Sequence, residues 1–317
     1  NMWLNGNGTT EAVVLNAENL TMRSVTVSGA SGYAGSAGGI RVTSSGWMEM
    51  FNSAVIFNSF SWGIYNSGIS LLHNVTIAEN DIGFYNDSDG AATASLLDNV
   101  TIGNNFAQGL VLTSGSLQVK STIMAGNNGA DYEYNAGTLL NGGYNLIMDQ
   151  NGTYSVGTPN FFGNPAPHDI EVTTGTTVFG DVTRDQGGYT YTLNLDENSV
   201  AINNGSSSFA ADQRGYLING QADIGAYEYD GYVAWNENSG VYYSTIQGAV
   251  NGADSFDTIK LIDSRITTDS VTINKNISIS GSGDSSQVSA IVELRGTRAF
   301  IIDDGSSTNS IEVRFSD

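Results

Sequence analysis

The chain has no cysteine among its 317 residues, so no disulfide and no thiolate metal site contributes to its fold. Charge is scarce too: 14% of residues are charged, against roughly 25% in ordinary globular domains. Basic residues are scarcest, with 11 Lys and Arg against 32 Asp and Glu, a net charge of −21. A surface of that sign repels nucleic acid and anionic lipid, so neither is an expected partner. No apolar run approaches the ~20 residues of a membrane span. Only 3 prolines occur, so turns must rest on other residues. Gly, Asn, Ser and Thr fill the space around a 40% hydrophobic fraction, a mixture suited to short strands and many turns rather than helices. The opening Asn1-Met2-Trp3 lacks an initiator Met and reads as a processed or excised piece, with any targeting segment removed.

Two columns recur along the first half. The first is a β-rich run: Ser24-Val25-Thr26-Val27, Ser53-Ala54-Val55-Ile56, Asn74-Val75-Thr76-Ile77, Asn99-Val100-Thr101-Ile102 and Ser121-Thr122-Ile123-Met124, with starts 29, 21, 25 and 22 residues apart. The second is Gly followed by an apolar residue: Gly39-Ile40, Gly63-Ile64, Gly83-Phe84 and Gly109-Leu110. Runs this short alternate like strands, and two columns advancing together describe the coils of a solenoid. One coil cannot bury its own apolar face, so neighbours must stack, about 4.8 Å apart. The expected fold is all-β, a right-handed parallel β-helix. Three residues past the first column stand Ser59, Asn80, Asn105 and Asn127, which would form a stacked amide ladder at a turn. Asn is also simply common in turns.

Residues 1–149 are therefore read as β-helix coils and 150–230 as a loop-rich closing region, with Pro159, Pro165 and Pro167 clustered within it. In that closing region Gln186-Gly187-Gly188-Tyr189 and Ala201-Ile202-Asn203-Asn204-Gly205 lead to Asp212-Gln213-Arg214-Gly215 and Asp223-Ile224-Gly225-Ala226-Tyr227-Glu228. This order resembles the C-terminal end of the choice-of-anchor Q surface proteins of bacteria and archaea, right-handed parallel β-helices related to polymorphic outer-membrane proteins. The resemblance covers residues 20–230 and implies a β-helix on a cell surface. The chain departs from the family's usual second basic residue after this motif, having Tyr216-Leu217-Ile218 there. Read on their own chemistry, Asp212, Arg214, Asp223 and Glu228 suit an ion-pair and turn-capping network closing the coils.

Residues 231–317 follow another grammar. Ser244 or Thr245 would cap a short amphipathic helix over 243–250. Expected strands are Thr258–Leu261, Val271–Ile273, Ile277–Ile279, Ala290–Leu294, Phe300–Ile302 and Ile311–Val313. The helix and the run Ile277-Ser278-Ile279-Ser280-Gly281 resemble the start of many right-handed β-helices. An opening thus follows a closing, as in a piece of a tandem array or a subunit that stacks head to tail on copies of itself.

Chemistry is sparse. Asp87-Ser88-Asp89-Gly90 resembles a fragment of a Ca²⁺ loop without the rest of it, so Asp87 and Asp89 are the metal candidates, and a solvated turn is the plainer reading. No other cofactor is expected. His73 and His168 have no partners spaced for zinc. Among the basic residues of the coils are Arg23, Arg41 and Lys120, and the carboxylates do not recur in one column. Asn-x-Ser/Thr sequences begin at Asn7, Asn19, Asn74, Asn86, Asn99, Asn151, Asn204 and Asn276 and are glycosylation candidates, those at Asn74 and Asn99 read as accessible at turns. Trp3, Trp47, Trp62 and Trp235, with 15 Tyr, would line a sugar platform or pack at coil corners. The expectation is an extracellular structural protein of a surface layer, sheath or filament that assembles through β-helix stacking. An adhesin or glycan-binding module is the alternative, and a polysaccharide lyase or hydrolase comes third, so no enzyme is expected first.

Overall fold

The computed structural model describes residues 2–9, 11–32, 38–88, 94–149, 168–173, 175–180, 190–196, 198–218, 221–229, 233–243, 245–261, 265–268, 271–281, 291–294, 300–302 and 313–316. The chain divides into two compact units: Asn1–Arg184 with Gly188–Glu228, and Asp185–Gly187 with Tyr229–Asp317.

The first unit is a parallel β-helix. Its first face stacks Val14–Asn16, Gly38–Val42, Trp62–Asn66, Ile82–Asp87, Leu110–Ser114 and Tyr132–Tyr134 in one six-stranded sheet. The other two faces share an eleven-stranded sheet, because the long strands Trp47–Ile56, Ile69–Ala78 and Ser95–Gly103 run through both. Each bends where one residue takes a left-handed backbone. Those residues form a column of their own: Ser24, Asn52, Asn74, Asn99, Ser121, Tyr144 and His168, with φ from +45° to +67°. Asn is the side-chain-bearing residue that tolerates this region best, which explains its place in the repeat. His168 belongs to this column and its ring stacks on Tyr144 at 4.7 Å.

The register corrects one alignment. Ala54 pairs with Thr76 and Val55 with Ile77, so Asn52, not Ser53, is the counterpart of Asn74. The error carried forward to Ser59: the amide in that coil is Asn58, six residues after the bend like Asn80, Asn105 and Asn127.

Inward side chains stack in ladders. Ile40, Ile64, Phe84, Leu110 and Tyr132 line the first face, Met50, Leu72, Leu97 and Val119 the second, and Val55, Ile77, Ile102, Met124 and Ile147 the third. Each such side chain taken out of water stabilises the fold by about 1.5–3 kcal/mol. After the last coils the chain turns back: the described residues between 176 and 228 supply a strap across the outside of the third face, with Phe179, Tyr191 and Leu193 packed over Ala54, Ile56 and Ala78.

The second unit begins with an antiparallel hairpin, Ala234–Asn236 with Val241–Tyr243. The helix Ile246–Gly252 follows, and Thr245 Oγ1 accepts from the Gly248 amide at 2.9 Å as its N-cap. Three parallel ladders then build up: Thr258–Leu261 with Ile277–Gly281 and Val313–Ser316, Arg265–Thr268 with Ile291–Leu294, and Val271–Ile273 with Phe300–Ile302. Ile246, Ala249 and Val250 of the helix share one core with Ile259, Val271, Ile273 and Ile279. The expected strand over 311–313 is described only from Val313 onward, as Val313–Ser316.

Candidate functional site

At the corner between the third and first faces, one chain of amides crosses four coils. Asn58 Nδ2 donates to Asn80 Oδ1 at 2.9 Å, Asn80 to Asn105 at 3.1 Å, and Asn105 to Asn127 at 2.8 Å. Asn127 then donates to the Asp131 carboxylate at 2.7 Å. Each Oδ1 also accepts the backbone N–H of the preceding coil's ladder residue, so these buried amides are satisfied on both ends. The glycine column belongs to the same device. A Cβ on Gly63 would stand 2.7 Å from Asn80 Nδ2, and one on Gly109 2.5 Å from Asn127 Nδ2, so the ladder requires glycine beside it. A second, shorter ladder runs from Asn66 to Asn86 at 2.7 Å, also buried. Its signal in the sequence was an Asn two residues past the apolar member of the glycine column, in only two coils.

The strap is held by a compact polar cluster. Arg214 Nε and Nη2 both lie 2.7 Å from Asp212 Oδ2, and Nη2 donates to the Glu228 carbonyl at 2.6 Å. The guanidinium sits between Tyr227 and Tyr216, at 3.8 and 4.4 Å from the ring centres. Glu228 Oε2 accepts from the Asp223 amide, and Asp223 Oδ1 from the Asn203 amide. All four charged residues are buried. Removing one partner of such a pair leaves an uncompensated buried charge, which is why the set behaves as a unit. Gln213 joins the cluster to the coils: its Oε1 accepts from Thr76 Oγ1 at 2.7 Å, and its Nε2 donates to Thr190 Oγ1 and the Tyr191 carbonyl. Ala226 N donates to Thr101 Oγ1, and Gly225 N to the Ser121 carbonyl. Gly225 has φ +97° and lies so close to Thr101 and Ile123 that no side chain fits there. Gln213 stands in the motif of the closing region, where an uncharged side chain beside Asp212 and Arg214 gives the sequence no sign of this role.

The two other faces carry outward side chains of different character. On the first, Arg41, Tyr65 and Tyr85 share a register position, with Trp62 beside them. The rings lie 4.5 to 5.5 Å apart and within 35° of parallel, an offset pile. Asp87 anchors it, accepting from Tyr65 OH at 2.9 Å and from Thr113 and Ser114 hydroxyls. Burial and the Asp87 hydrogen bond raise the Tyr65 pKa. Asp89, its companion metal candidate, lies outside the described residues, and among those described no group of three His, Asp or Glu could hold a metal ion. On the second face, Phe51, His73, Asp98 and Lys120 share one register position.

The glycosylation candidates divide by exposure. Asn7, Asn19 and Asn204 are exposed and Asn276 is half-buried, while Asn151 lies outside the described residues. Asn86 is fully buried in its ladder. Asn74 and Asn99, read from the sequence as accessible, are 3% exposed, because the bend column lies under the strap and Asn74 Nδ2 donates to the Ala211 carbonyl. Trp3 packs edge-on to Tyr191 and donates to Ser28 Oγ, and Trp235 lies under Lys260.

Among the described residues, no helix is long and apolar enough to cross a membrane. No protein-family model, no curated protein and no solved structure matches the chain.

Proposed function

We propose that this chain is an extracellular structural protein of a cell-surface layer, sheath or filament, built by stacking β-helical coils on further copies of itself. The observation that carries the reading is the presence of two β-helical stacks in one chain, each with parallel edges unpaired among the described residues. Met2–Thr9, Val14–Asn16 and Asn19–Arg23 form one such three-sided edge. Ile291–Leu294, Phe300–Ile302 and Val313–Ser316 form another. Unpaired strand edges of this kind recruit further strands. A heterologous contact that does not close on itself gives a filament. The interior of the coils is filled among the described residues by side-chain ladders and amides, a repeat that further coils can continue. The likeness of 212–228 to the closing segment of choice-of-anchor Q proteins adds a cell-surface setting.

Electron microscopy of the purified chain, paired with sedimentation velocity across a concentration series, tests this. Fibres or sheets, with mass rising with concentration, are expected. A single monomeric species at all concentrations would overturn it. The second reading, a glycan-binding module, draws on Trp62, Tyr65 and Tyr85. It is weaker because rings piled on one another spend their faces on each other rather than on a sugar.

A further inference from the structure

The column on the second face brings together three groups that nothing so far employs. His73, Asp98 and Lys120 are direct register partners on three successive coils. Asp98 is 7% exposed, and its Oδ1 is buried without a hydrogen bond among the described residues. Lys120 Nζ stands 3.8 Å from that oxygen, beyond hydrogen-bonding distance, and Ser208 Oγ of the strap holds it at 3.2 Å. On the other side, the His73 ring stacks on Phe51 at 4.9 Å and meets Phe209 edge-on at 5.3 Å. Its Nδ1 is likewise buried without a partner among the described residues. Arg23 covers the Phe51 ring at 3.8 Å. The charged groups facing the imidazole are thus Asp98, Glu49 and Arg23, and those facing the carboxyl are Lys120 and His73.

This is an amine, a carboxyl and an imidazole at one register position on successive coils, the carboxyl buried, the amine and the imidazole half-buried beside Ser208 and Phe209 of the strap. Burial raises the Asp98 pKa, against the pull of Lys120 and His73, and lowers that of His73, so it disfavours the charged form of each. Holding reactants in this way supplies effective molarities on the order of 10⁵–10⁸ M in well-oriented cases.

We propose that Lys120 and Asp98 condense into an intramolecular isopeptide bond, a covalent staple between successive coils, with His73 as the proton shuttle. A proton passes from the Lys120 ammonium to the Asp98 carboxylate, leaving a neutral amine beside a neutral acid. The amine lone pair attacks Asp98 Cγ and the C–N bond forms. His73 takes the proton from the attacking nitrogen and delivers it to the departing hydroxyl, and the C–O bond breaks with loss of water. One amine and one acid enter, one amide and one water leave, and no oxidant, nucleotide or metal is consumed. The product ties neighbouring strands Ser95–Gly103 and Ser116–Lys120 by a bond that unfolding does not break.

Intact-mass measurement on the full chain under denaturing conditions tests this. The expected mass is one water below the sequence value, and proteolysis should give a branched peptide joining the Lys120 and Asp98 segments. Lys120→Arg keeps a cation beside Asp98 but has no primary amine, and its mass should return to the full value. His73→Phe preserves the stack on Phe51 and should slow cross-linking by about 100-fold or more, the lower range of a general acid–base contribution. A wild-type mass equal to the sequence value after long incubation, with a linear Lys120 peptide, overturns the staple. So does a water loss that maps to a different residue. Cross-linking at the wild-type rate in His73→Phe removes the imidazole from the mechanism. Mass reports on the bond whatever the state of assembly, so failure here and failure of the filament reading are distinguishable.

Discussion

The first and third faces of the β-helix are made from the same repeat, yet they meet different surroundings. Outward positions on the first face hold Arg41, Tyr65 and Tyr85, half in water. Outward positions on the third hold Thr26, Ala54, Thr76 and Thr101, then Ser28, Ile56, Ala78, Gly103 and Ala125, all but Ile56 small, and are buried on both sides. The difference lies in side-chain size. A Cβ on Gly103 would already press on Phe179 at 2.6 Å and Leu193 at 2.9 Å. Small, weakly polar side chains let the strap lie close, and the Thr hydroxyls at 76 and 101 give it hydrogen bonds to land on. A face that alternates apolar-in and polar-out is finished when its coil closes, whereas a face buried on both sides needs a second layer.

The sharpest way to break that contrast is to cut the strap loose. Arg214→Met strands Asp212 as a buried unpaired carboxylate and should cost about 3–5 kcal/mol, read from denaturant unfolding. Asn105→Leu comes next. It orphans the backbone N–H of Asn80 and takes from Asn127 Oδ1 one of its two donors while leaving the strap intact, and about 2–3 kcal/mol of stability should be lost. Paired substitutions compare the faces directly. Ala78→Leu overfills the seam under Leu193 and should cost about 1–3 kcal/mol, while Tyr85→Leu, facing water, should cost less than Ala78→Leu. Equal costs would mean that the strap does not confine the third face.

The smallest effect is one of pH. His73 has a folded pKa below its free value, so the unfolded chain takes up a proton first as pH falls below about 6.5, and stability declines there. In the Lys120→Arg chain, where Asp98 stays a free carboxyl, Asp98 acts in the opposite sense, its raised pKa costing stability at neutral pH and returning it as pH falls towards the usual carboxylate range. Adding His73→Phe in that background should remove the first component and keep the second, which a set of unfolding curves between pH 4 and 8 resolves.

The coil, the glycine column and the positions of Asn80, Asn105 and Asn127 were legible because each contact repeats at one coil's spacing, and repetition is what a sequence displays. The slip at Ser53 and Ser59 has the same origin. Coil lengths vary, and alignment on β-branched runs misses a bend that only φ at Asn52 marks. The strap was not legible as a layer, because Gln213 meets Thr76 across 137 residues and meets it once. The column of His73, Asp98 and Lys120 was hidden for a related reason. Three unlike side chains at one register position look like scatter until the strands are stacked.

The amides from Asn58 to Asn127 all point the same way, each giving its N–H to the next coil, and the last gives it to a carboxylate. An ionised carboxylate accepts and cannot donate. The ladder is therefore a sentence with a full stop. Where Asn recurs the relay passes to another coil, and where Asp131 stands instead it ends, although parallel strands continue past it through Leu146–Asp149 and Ile170–Thr173. A single change of amide to acid therefore gives this corner a direction and an end of its own, separate from where the stack of coils stops.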